Sequence, residues 1–300
     1  MKISTRHLTI LLLAPLLLLA ACSKNEDEGQ KTNEQNLNCN NPSAEPAVAR
    51  LEFPKVKGGN SVVLVHSAGD SYGINYCVEW DKGKKSQRWS CYQLNKVNSV
   101  TNTTRYKSDD NQYPDDPMLN EDFQLDGKLY WNSGYEHGHI CPSADRLYSS
   151  NANLQTFYLT NMQPQDHMMN SGSNYNSPWY RLEGQVRSWA NASTTENLYV
   201  VKGGTIEDNQ LREIIKGQLR VPKYFFVALL MKNGQGYKAC GFWLEHDGKD
   251  HGSEPIGNFA VNIRDLEQKT GIDFFCNLPD EVEDHVETLP IANVKRAWGL

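Results

Sequence analysis

The sequence lacks a C-x-x-C pair, an excess of basic residues and an apolar run long enough to cross a membrane comfortably. The apolar run at residues 8–20 is shorter than the roughly 20 residues that a membrane-spanning helix needs. The 7 cysteines are widely spaced, which argues against a cysteine-based zinc site. A formal net charge of −6 argues against a broad basic surface that binds polyanions. A few cations around a bound metal ion could still hold a phosphate group.

The N-terminus has the pattern of an export signal. Residues 1–21 combine a basic start, the apolar run and small residues before Cys22, which predicts a signal peptide. The end of this segment, Leu19-Ala20-Ala21-Cys22, resembles a bacterial lipobox, which implies cleavage before Cys22 and lipidation of that cysteine. The resemblance implies an outer-membrane lipoprotein held to the membrane through Cys22, with periplasmic or surface orientation left open. The alternative is a plain secretory signal followed by an unrelated cysteine.

The rest of the chain divides into a linker and a globular part. Residues 22–46 are rich in Asn, Glu, Lys and Gln and poor in apolar residues, which predicts a disordered tether. Residues 47–300 show no internal repeat and are interpreted as one domain. The six cysteines beyond Cys22 permit three disulfides in an exported protein. Cys77 and Cys91 lie on facing strands of a predicted hairpin, but the sequence does not settle the pairing.

Apolar and alternating stretches predict an α+β fold with a mixed or antiparallel sheet. A Ser177-Pro178 start and an apolar stripe through Trp179 to Trp189 predict one helix, and a second is predicted at residues 263–270, stopped by Gly271. The predicted strands lie at residues 62–65, 75–80, 87–94, 157–161, 198–201, 224–231 and 238–245.

Two patches concentrate polar chemistry. Residues 135–146 hold two histidines, two carboxylates, an arginine and a cysteine, and residues 161–183 hold several amides and a glutamate. A core element would not carry so many ionisable groups, because each one that is buried needs a partner. Histidine is a natural base near neutral pH, and amide or carboxylate oxygens suit a hard cation such as Mg²⁺. Together they indicate metal-assisted cleavage of a phosphodiester.

Four motifs follow one another in a specific order. They are Glu136-His137-Gly138-His139, Thr160-Asn161-Met162-Gln163-Pro164-Gln165, Asn170, and Trp179-Tyr180-Arg181-Leu182-Glu183. They resemble the DNA/RNA non-specific endonucleases, a ββα-metal (His-Me finger) family that carries Asp-Arg-Gly-His, Ser-Asn-x-x-Pro-Gln, an Asn and Trp-x-x-Leu-Glu. The resemblance implies a ββα-metal motif and endonucleolytic hydrolysis of DNA and RNA with Mg²⁺ or Mn²⁺.

The resemblance also implies roles for individual residues. His139 corresponds to the general base, and Asn170 to the single protein ligand of the hydrated metal. Glu183 corresponds to the residue that hydrogen-bonds the metal's waters, Asn161 to the asparagine that orders the site, and Arg105 to a phosphate-binding arginine. Arg187 lies where the family has an arginine one turn beyond the glutamate, although Glu183 could be only its helical neighbour.

Two departures from the family pattern leave questions open. His137 replaces the family arginine and would contact phosphate only as a donor, so Arg146 is a candidate to replace the lost charge. An insertion before Trp179 makes Asn176 an alternative to Asn170 as metal ligand, because the two are seven residues apart. A zinc site that combines His137 and His139 with His167 is a further alternative.

Two other functions remain open at this level. The chain could bind nucleic acid or another ligand without cleaving it, as the loss of the family arginine would suggest. It could also be a phosphodiesterase restricted to small nucleotides. A comparison of the cleavage of a polymer with the cleavage of a dinucleotide analogue would distinguish this restricted phosphodiesterase from an endonuclease.

Overall fold

The computed structural model describes residues 35–300. The predicted signal peptide and the predicted lipidation site at Cys22 therefore lie outside the described residues. No helix within residues 35–300 is long and apolar enough to cross a membrane. Residues 35–300 belong to one compact unit.

The core of residues 35–300 is a seven-stranded antiparallel sheet, and two short hairpins accompany it. The order of strands in the large sheet is β1-β2-β3-β6-β9-β10-β11, and the hairpins are β4-β5 and β7-β8. The strands are β1 (Ser61–Ser67), β2 (Ile74–Asp81), β3 (Ser86–Leu94), β4 (Glu136–His139), β5 (Met162–Gln165), β6 (Thr195–Gly204), β7 (Leu211–Ile215), β8 (Leu219–Pro222), β9 (Tyr224–Asn233), β10 (Gly236–Glu245) and β11 (Ala260–Val261).

Helices cover both faces of the large sheet. They are α1 (Ser150–Gln155), α2 (His167–Asn170), α3 (Pro178–Ala190), α4 (Ile263–Thr270), α5 (Asp280–Glu287) and α6 (Ile291–Trp298). Alternate residues of β9 face opposite sides, so Val227 packs in a cluster with Leu182 of α3, and Ala228 in a cluster with Leu266 of α4. Burial on both faces explains why β9 is continuously apolar.

Most of the sequence-based predictions of secondary structure are confirmed. The α+β class, the antiparallel sheet and the hairpin of Cys77 and Cys91 all appear, as do the strands predicted at residues 62–65, 198–201, 224–231 and 238–245. The helix α3 begins as expected, because the Ser177 hydroxyl accepts a hydrogen bond from the Tyr180 amide at 3.0 Å. Gly271 ends α4 with a positive φ of 66°.

The strand predicted at residues 157–161 is wrong. The amides of Phe157 and Asn161 donate to Leu154 and Tyr158 at 2.9 Å, so the chain continues from α1 in tight turns. Leu159–Asn161 forms a 3-10 helix, and β5 begins only at Met162. A short apolar run fits a buried turn as well as a buried strand, and here local hydrogen bonds decide between them.

The predicted tether ends earlier than expected. Asn40 is buried, and its carboxamide donates to Pro54 O at 3.0 Å and accepts from Val56 N at 2.9 Å. The Asn38 carboxamide donates to Glu283 at 3.0 Å. Residues 35–46 are therefore part of the folded unit, and the tether prediction is wrong for this stretch.

The three disulfides that the cysteine count permits are not formed in the described residues. The six cysteines from Cys39 to Cys276 are free thiols. Cys77 and Cys91 are directly opposite each other in the β2-β3 register, as expected from the predicted hairpin, and both are buried.

Carboxylates crowd together where α4, α5 and the N-terminal segment meet. Arg264 contacts Glu267 at 3.3 Å and Glu287 at 3.1 Å, and Glu283 lies beside them. Burial raises the pKa of Glu267 and of Glu283 to about 7, and burial with the neighbouring Glu267 and Glu283 raises that of Glu287 to about 9. One arginine does not neutralise three carboxylates in this setting.

We expect this cluster to make the fold more stable in mild acid. Because these folded-state pKa values lie above the unfolded value of about 4.5, the folded state binds more protons, and stability falls as pH rises from about 4.5 through 7 to about 9. Glu287→Gln should reduce the slope of unfolding free energy against pH by up to about 1.4 kcal/mol per pH unit. Urea denaturation at pH 6, 7.5 and 9 measures this slope. Glu281→Gln, at an exposed position of α5, is the control, and equal slopes in both variants would contradict the assignment.

Candidate active site

The β4-β5 hairpin carries the first two histidines of the site. His137 faces Pro164 and His139 faces Met162 across the hairpin. A Cβ on Gly138 would lie 2.2 Å from Cδ of the buried Gln165 side chain, so a larger residue here would displace that side chain. The position between the two histidines is thus fixed by packing.

Asn161 fastens the end of β4 to the rest of the fold. Its carboxamide accepts from Cys141 N at 2.9 Å and donates to Cys141 O at 2.9 Å and Thr156 O at 2.7 Å. The side chain is fully buried and does not line the cleft that contains His139. Asn161 therefore holds the end of the strand through buried hydrogen bonds and lies outside the cleft lining.

One open cleft of about 700 Å³ contains most of the predicted site residues. His139 from β4, Asn170 from α2 and Glu183 from α3 all line it. Arg105 and Arg187 line it as well. The two sequence patches thus meet at one place, brought together by the hairpin and the two helices that follow it.

His139 is held as a neutral imidazole. Its ring packs edge-on against Phe157 with centroids 4.7 Å apart, and Nε2 is buried without a hydrogen-bond partner in the described chain. Burial lowers the pKa of His139 to about 3, and the charge of nearby Arg105 acts in the same direction. The ring is therefore unprotonated throughout the neutral range, and its Nε2 is not engaged by another described residue.

The side-chain oxygen of Asn170 accepts no hydrogen bond within residues 35–300, whereas its side-chain nitrogen is bound to a carboxylate. Its Nδ2 donates to Glu136 Oε2 at 2.7 Å, and Glu136 Oε1 contacts His167 Nδ1 at 2.9 Å. No described residue donates to Asn170 Oδ1. Because the amide nitrogen is fixed on a carboxylate, the oxygen is the atom left for a cation.

Asn176 is not placed to share this role. Its side chain packs against Gly252, where an added Cβ would lie 2.5 Å from Asn176 Nδ2, and it does not line the cleft. Seven residues put two side chains on one face only in a continuous helix. Here α2 ends at Asn170 and a loop follows, so the expectation for Asn176 fails.

Arg105 and Arg187, two of the arginines predicted to lie at the site, make different contacts in the structure. The Arg105 guanidinium lies 4.7 Å from the centroid of Phe157, the ring that also contacts His139, and Arg105 is exposed to the cleft. Arg187 Nη1 donates to Asp145 Oδ1 at 2.8 Å, so this arginine pairs with Asp145 and still lines the cleft.

Arg146 is not a substrate-binding residue. Its side chain is fully buried over the Tyr92 ring at 4.5 Å, and it donates to the carbonyl oxygens of Asp145 and Gln93. The expectation that it replaces a lost phosphate contact is therefore wrong.

His137 does not carry charge into the site. Tyr113 and Tyr130 stack on its two faces with centroids 3.8 Å away. Burial lowers the pKa of His137 to about 4, so the ring is neutral at physiological pH. The zinc alternative also fails, because no group of three His, Cys, Asp or Glu side chains within residues 35–300 is arranged to hold a metal.

These positions can be compared with known proteins. Residues 65–281 match the family described as DNA/RNA non-specific endonuclease, and the cleft brings its motifs together in space. The chain belongs to this family. Family membership makes it a hydrolytic nuclease, and the expected ββα-metal class is confirmed.

Individual relatives agree with the family assignment. A nuclease from Nostoc sp. is 29% identical over 220 residues, which cover 71% of this chain and 75% of that protein. The mitochondrial nuclease EXOG of Xenopus laevis is 26% identical over 68% of this chain and 58% of its own length. A chain from the crystal structure of the EndoG/EndoGI complex shares the fold, with a TM-score of 0.61 at 23% identity over 74% of this chain and 89% of that one.

Lys202 is buried behind Glu183, outside the lining of the endonuclease cleft, and is a contact of the site that the sequence analysis missed. Its Nζ donates to Glu183 Oε1 at 2.9 Å and lies 4.1 Å from the centroid of Trp179. Burial raises the pKa of Glu183, and the Lys202 charge opposes that rise. The sequence feature that could have identified Lys202 is its place as a lone lysine near the end of the apolar strand β6. A lysine in such a strand is expected to be buried, and a buried lysine needs a partner.

We predict that Lys202→Met destabilises the protein by about 3–5 kcal/mol. The Lys202 side chain is 3% exposed and that of Glu183 15%, so removal of the cation leaves a buried carboxylate unpaired. Lys232→Met is the matched control, because Lys232 on β9 pairs with Glu196 at the surface at 3.5 Å and should cost at most about 1 kcal/mol. Urea denaturation measures both, and a similar small loss for the two variants would contradict the prediction.

Proposed function

We propose that this chain hydrolyses internal phosphodiester bonds of DNA and RNA with little sequence preference, in a reaction that needs Mg²⁺ or Mn²⁺. The observation that carries the proposal is the shared cleft of His139, Asn170 and Glu183, flanked by Arg105 and Arg187. A base, an oxygen donor for a cation and two positive side chains are the groups that this reaction requires.

His139 is the proposed general base. The neutral imidazole takes a proton from the attacking water, and Phe157 and the buried strand end hold the ring in place. A bound phosphodiester brings negative charge beside the ring and raises the pKa of His139 from its low value. Proton acceptance therefore becomes more favourable when substrate is present.

Asn170 and Glu183 fit a hard divalent cation. Asn170 Oδ1 accepts no hydrogen bond from the residues that the structure describes, and the Glu183 carboxylate lines the same cleft. A bound cation would neutralise charge that develops on the phosphate and on the leaving oxygen. Glu136 fixes the orientation of the Asn170 amide, and Lys202 fixes Glu183.

Arg105 and Arg187 are the proposed phosphate contacts. Both line the cleft, and Arg187 is oriented by Asp145. His137 adds no charge, because its pKa is low and both ring faces are covered. Phosphate binding in this chain therefore depends on two arginines.

We predict that His139→Ala lowers kcat/KM on plasmid DNA and on RNA by about 10² to 10⁴, because proton transfer to the ring is lost. The matched control is His285→Ala, which changes an exposed histidine on α5. The full-length protein is assayed in detergent with Mg²⁺ and with chelator.

Loss of cutting in chelator and in His139→Ala, with full activity in His285→Ala, is the expected result. Equal cutting by His139→Ala would exclude this base. A folded wild-type protein that binds nucleic acid and never cuts it would replace the proposal with the binding-only function. Cleavage of a dinucleotide analogue alone would favour the restricted phosphodiesterase.

For location, we propose an outer-membrane lipoprotein anchored through Cys22. The support is the lipobox resemblance in the sequence. Cys22→Ser should abolish incorporation of a labelled fatty acid and shift the protein from the membrane to the soluble fraction. Cys39→Ser is the control, because Cys39 is the exposed cysteine of the folded unit. Membrane association that survives in Cys22→Ser would contradict the anchor.

A further inference from the structure

Two exposed tyrosines stand at the cleft that holds His139. Tyr175 and Tyr180 both line it, and their side chains are 70% and 42% exposed. Their ring centroids are 5.6 Å apart, with the planes inclined at 47°. Large aromatic rings are usually buried, so this exposure beside a reaction site requires an explanation.

The loop that carries Tyr175 is closed at its base. Ser177 N donates to Ser171 O at 3.0 Å, and the Ser177 hydroxyl donates to Asn170 O at 3.2 Å. Gly172 permits this closure, because a Cβ there would lie 2.7 Å from Ser177 N. The loop is thus joined directly to the residue proposed to bind the cation.

The far side of the loop is also fixed. Arg181 Nε donates to Asn176 O at 3.0 Å, and Arg181 Nη2 donates to Glu254 O at 2.6 Å. The Asn176 side chain packs against Gly252. Ties on both sides of Tyr175 hold the loop, while the Tyr175 ring projects towards the cleft.

The backbone at the loop tip is strained in a way that displays the ring. Asn174 and Tyr175 have φ values of 59° and 60°, in the left-handed region. A tyrosine rarely adopts this conformation, and such strain persists where the surroundings impose it, often at binding sites. Burying the ring would be expected to stabilise the protein, yet the fold holds it in solvent.

We propose that Tyr175 and Tyr180 form a stacking platform for an unpaired nucleobase next to the phosphate being cleaved. The inference rests on the proposed function and extends it to the strand state of the substrate. Aromatic rings stack on any base, because every base has a π face, so the platform adds affinity without sequence preference. A base within a duplex already has both faces stacked, so only an unpaired base can use the platform.

The two tyrosine rings and the two arginines of the cleft would contact different parts of the substrate. Arg105 and Arg187 attract the phosphate on any strand, whereas Tyr175 and Tyr180 recognise the base itself. The platform therefore favours single-stranded DNA and RNA, or locally opened duplex, over intact duplex.

The test compares two fluorescent single-stranded oligonucleotides, one complete and one with consecutive abasic positions at its centre. Their affinities are measured with Mg²⁺ for full-length His139→Ala protein, which does not consume the probe. Tyr175→Ala with Tyr180→Ala, and the corresponding pair of Phe substitutions, are then added to this background. Trp131→Ala is the matched control, because Trp131 is 66% exposed and lies outside the cleft lining.

We expect the complete strand to bind roughly five- to a hundredfold more tightly than the abasic one, the range that base stacking provides. The double alanine variant should bring this ratio close to one. The double phenylalanine variant and Trp131→Ala should keep it, because the rings at the cleft remain.

A ratio near one in the starting protein would overturn the platform, and so would a ratio that survives in the double alanine variant. Loss of the ratio in the Trp131→Ala control would also overturn it. If the His139→Ala background shows the base-dependent ratio while the wild-type protein cuts no nucleic acid, the platform is supported and the proposed function is contradicted, which separates the two failures.

Discussion

The structure depends on the way two amide side chains dock a short hairpin onto the large sheet. Asn161 joins the end of β4 to the turn before β5 through Cys141 and Thr156. Gln163 of β5 accepts from Gly204 N at 2.5 Å and donates to Gln87 O at 3.2 Å, which links the hairpin to β6 and β3. Buried amides that satisfy their donors and acceptors hold one geometry, because any displacement leaves polar atoms unpaired. The position of His139 is set by this docking, because His139 lies on β4.

The electrostatics of the cleft follow from burial around that hairpin. Burial lowers the pKa of both His137 and His139, and the charge of Arg105 lowers that of His139 further, so both rings are neutral at physiological pH. The positive side chains that line the cleft are Arg105 and Arg187, whereas Lys202 is buried and pairs with Glu183. A protein with a net charge of −6 can thus hold a phosphate locally without a basic surface elsewhere.

The sequence predicted the parts of the site that depend on ordered motifs and on local patterns. The β2-β3 hairpin, the α3 start at Ser177 and the meeting of His139 with Glu183 needed only periodicity, capping chemistry and motif order. Arg146 was misread, because nothing in its neighbourhood along the chain shows that it lies buried over Tyr92. The packing of residues 35–46 could not be predicted either, since its partners, such as Glu283, lie more than 200 residues away.

The insertion before Trp179 shows most clearly where sequence reasoning reaches its limit. Counting residues assumed a helix through both asparagines, but α2 ends at Asn170 and the next residues close into a loop. The closure gives the two asparagines different neighbours: Asn170 contacts Glu136 in the cleft, and Asn176 packs on Gly252. The same closure forces Asn174 and Tyr175 into the left-handed region and turns an aromatic ring towards the cleft. The loop therefore selects Asn170 as the candidate ligand and supplies the surface that would meet a base, both from one set of backbone ties.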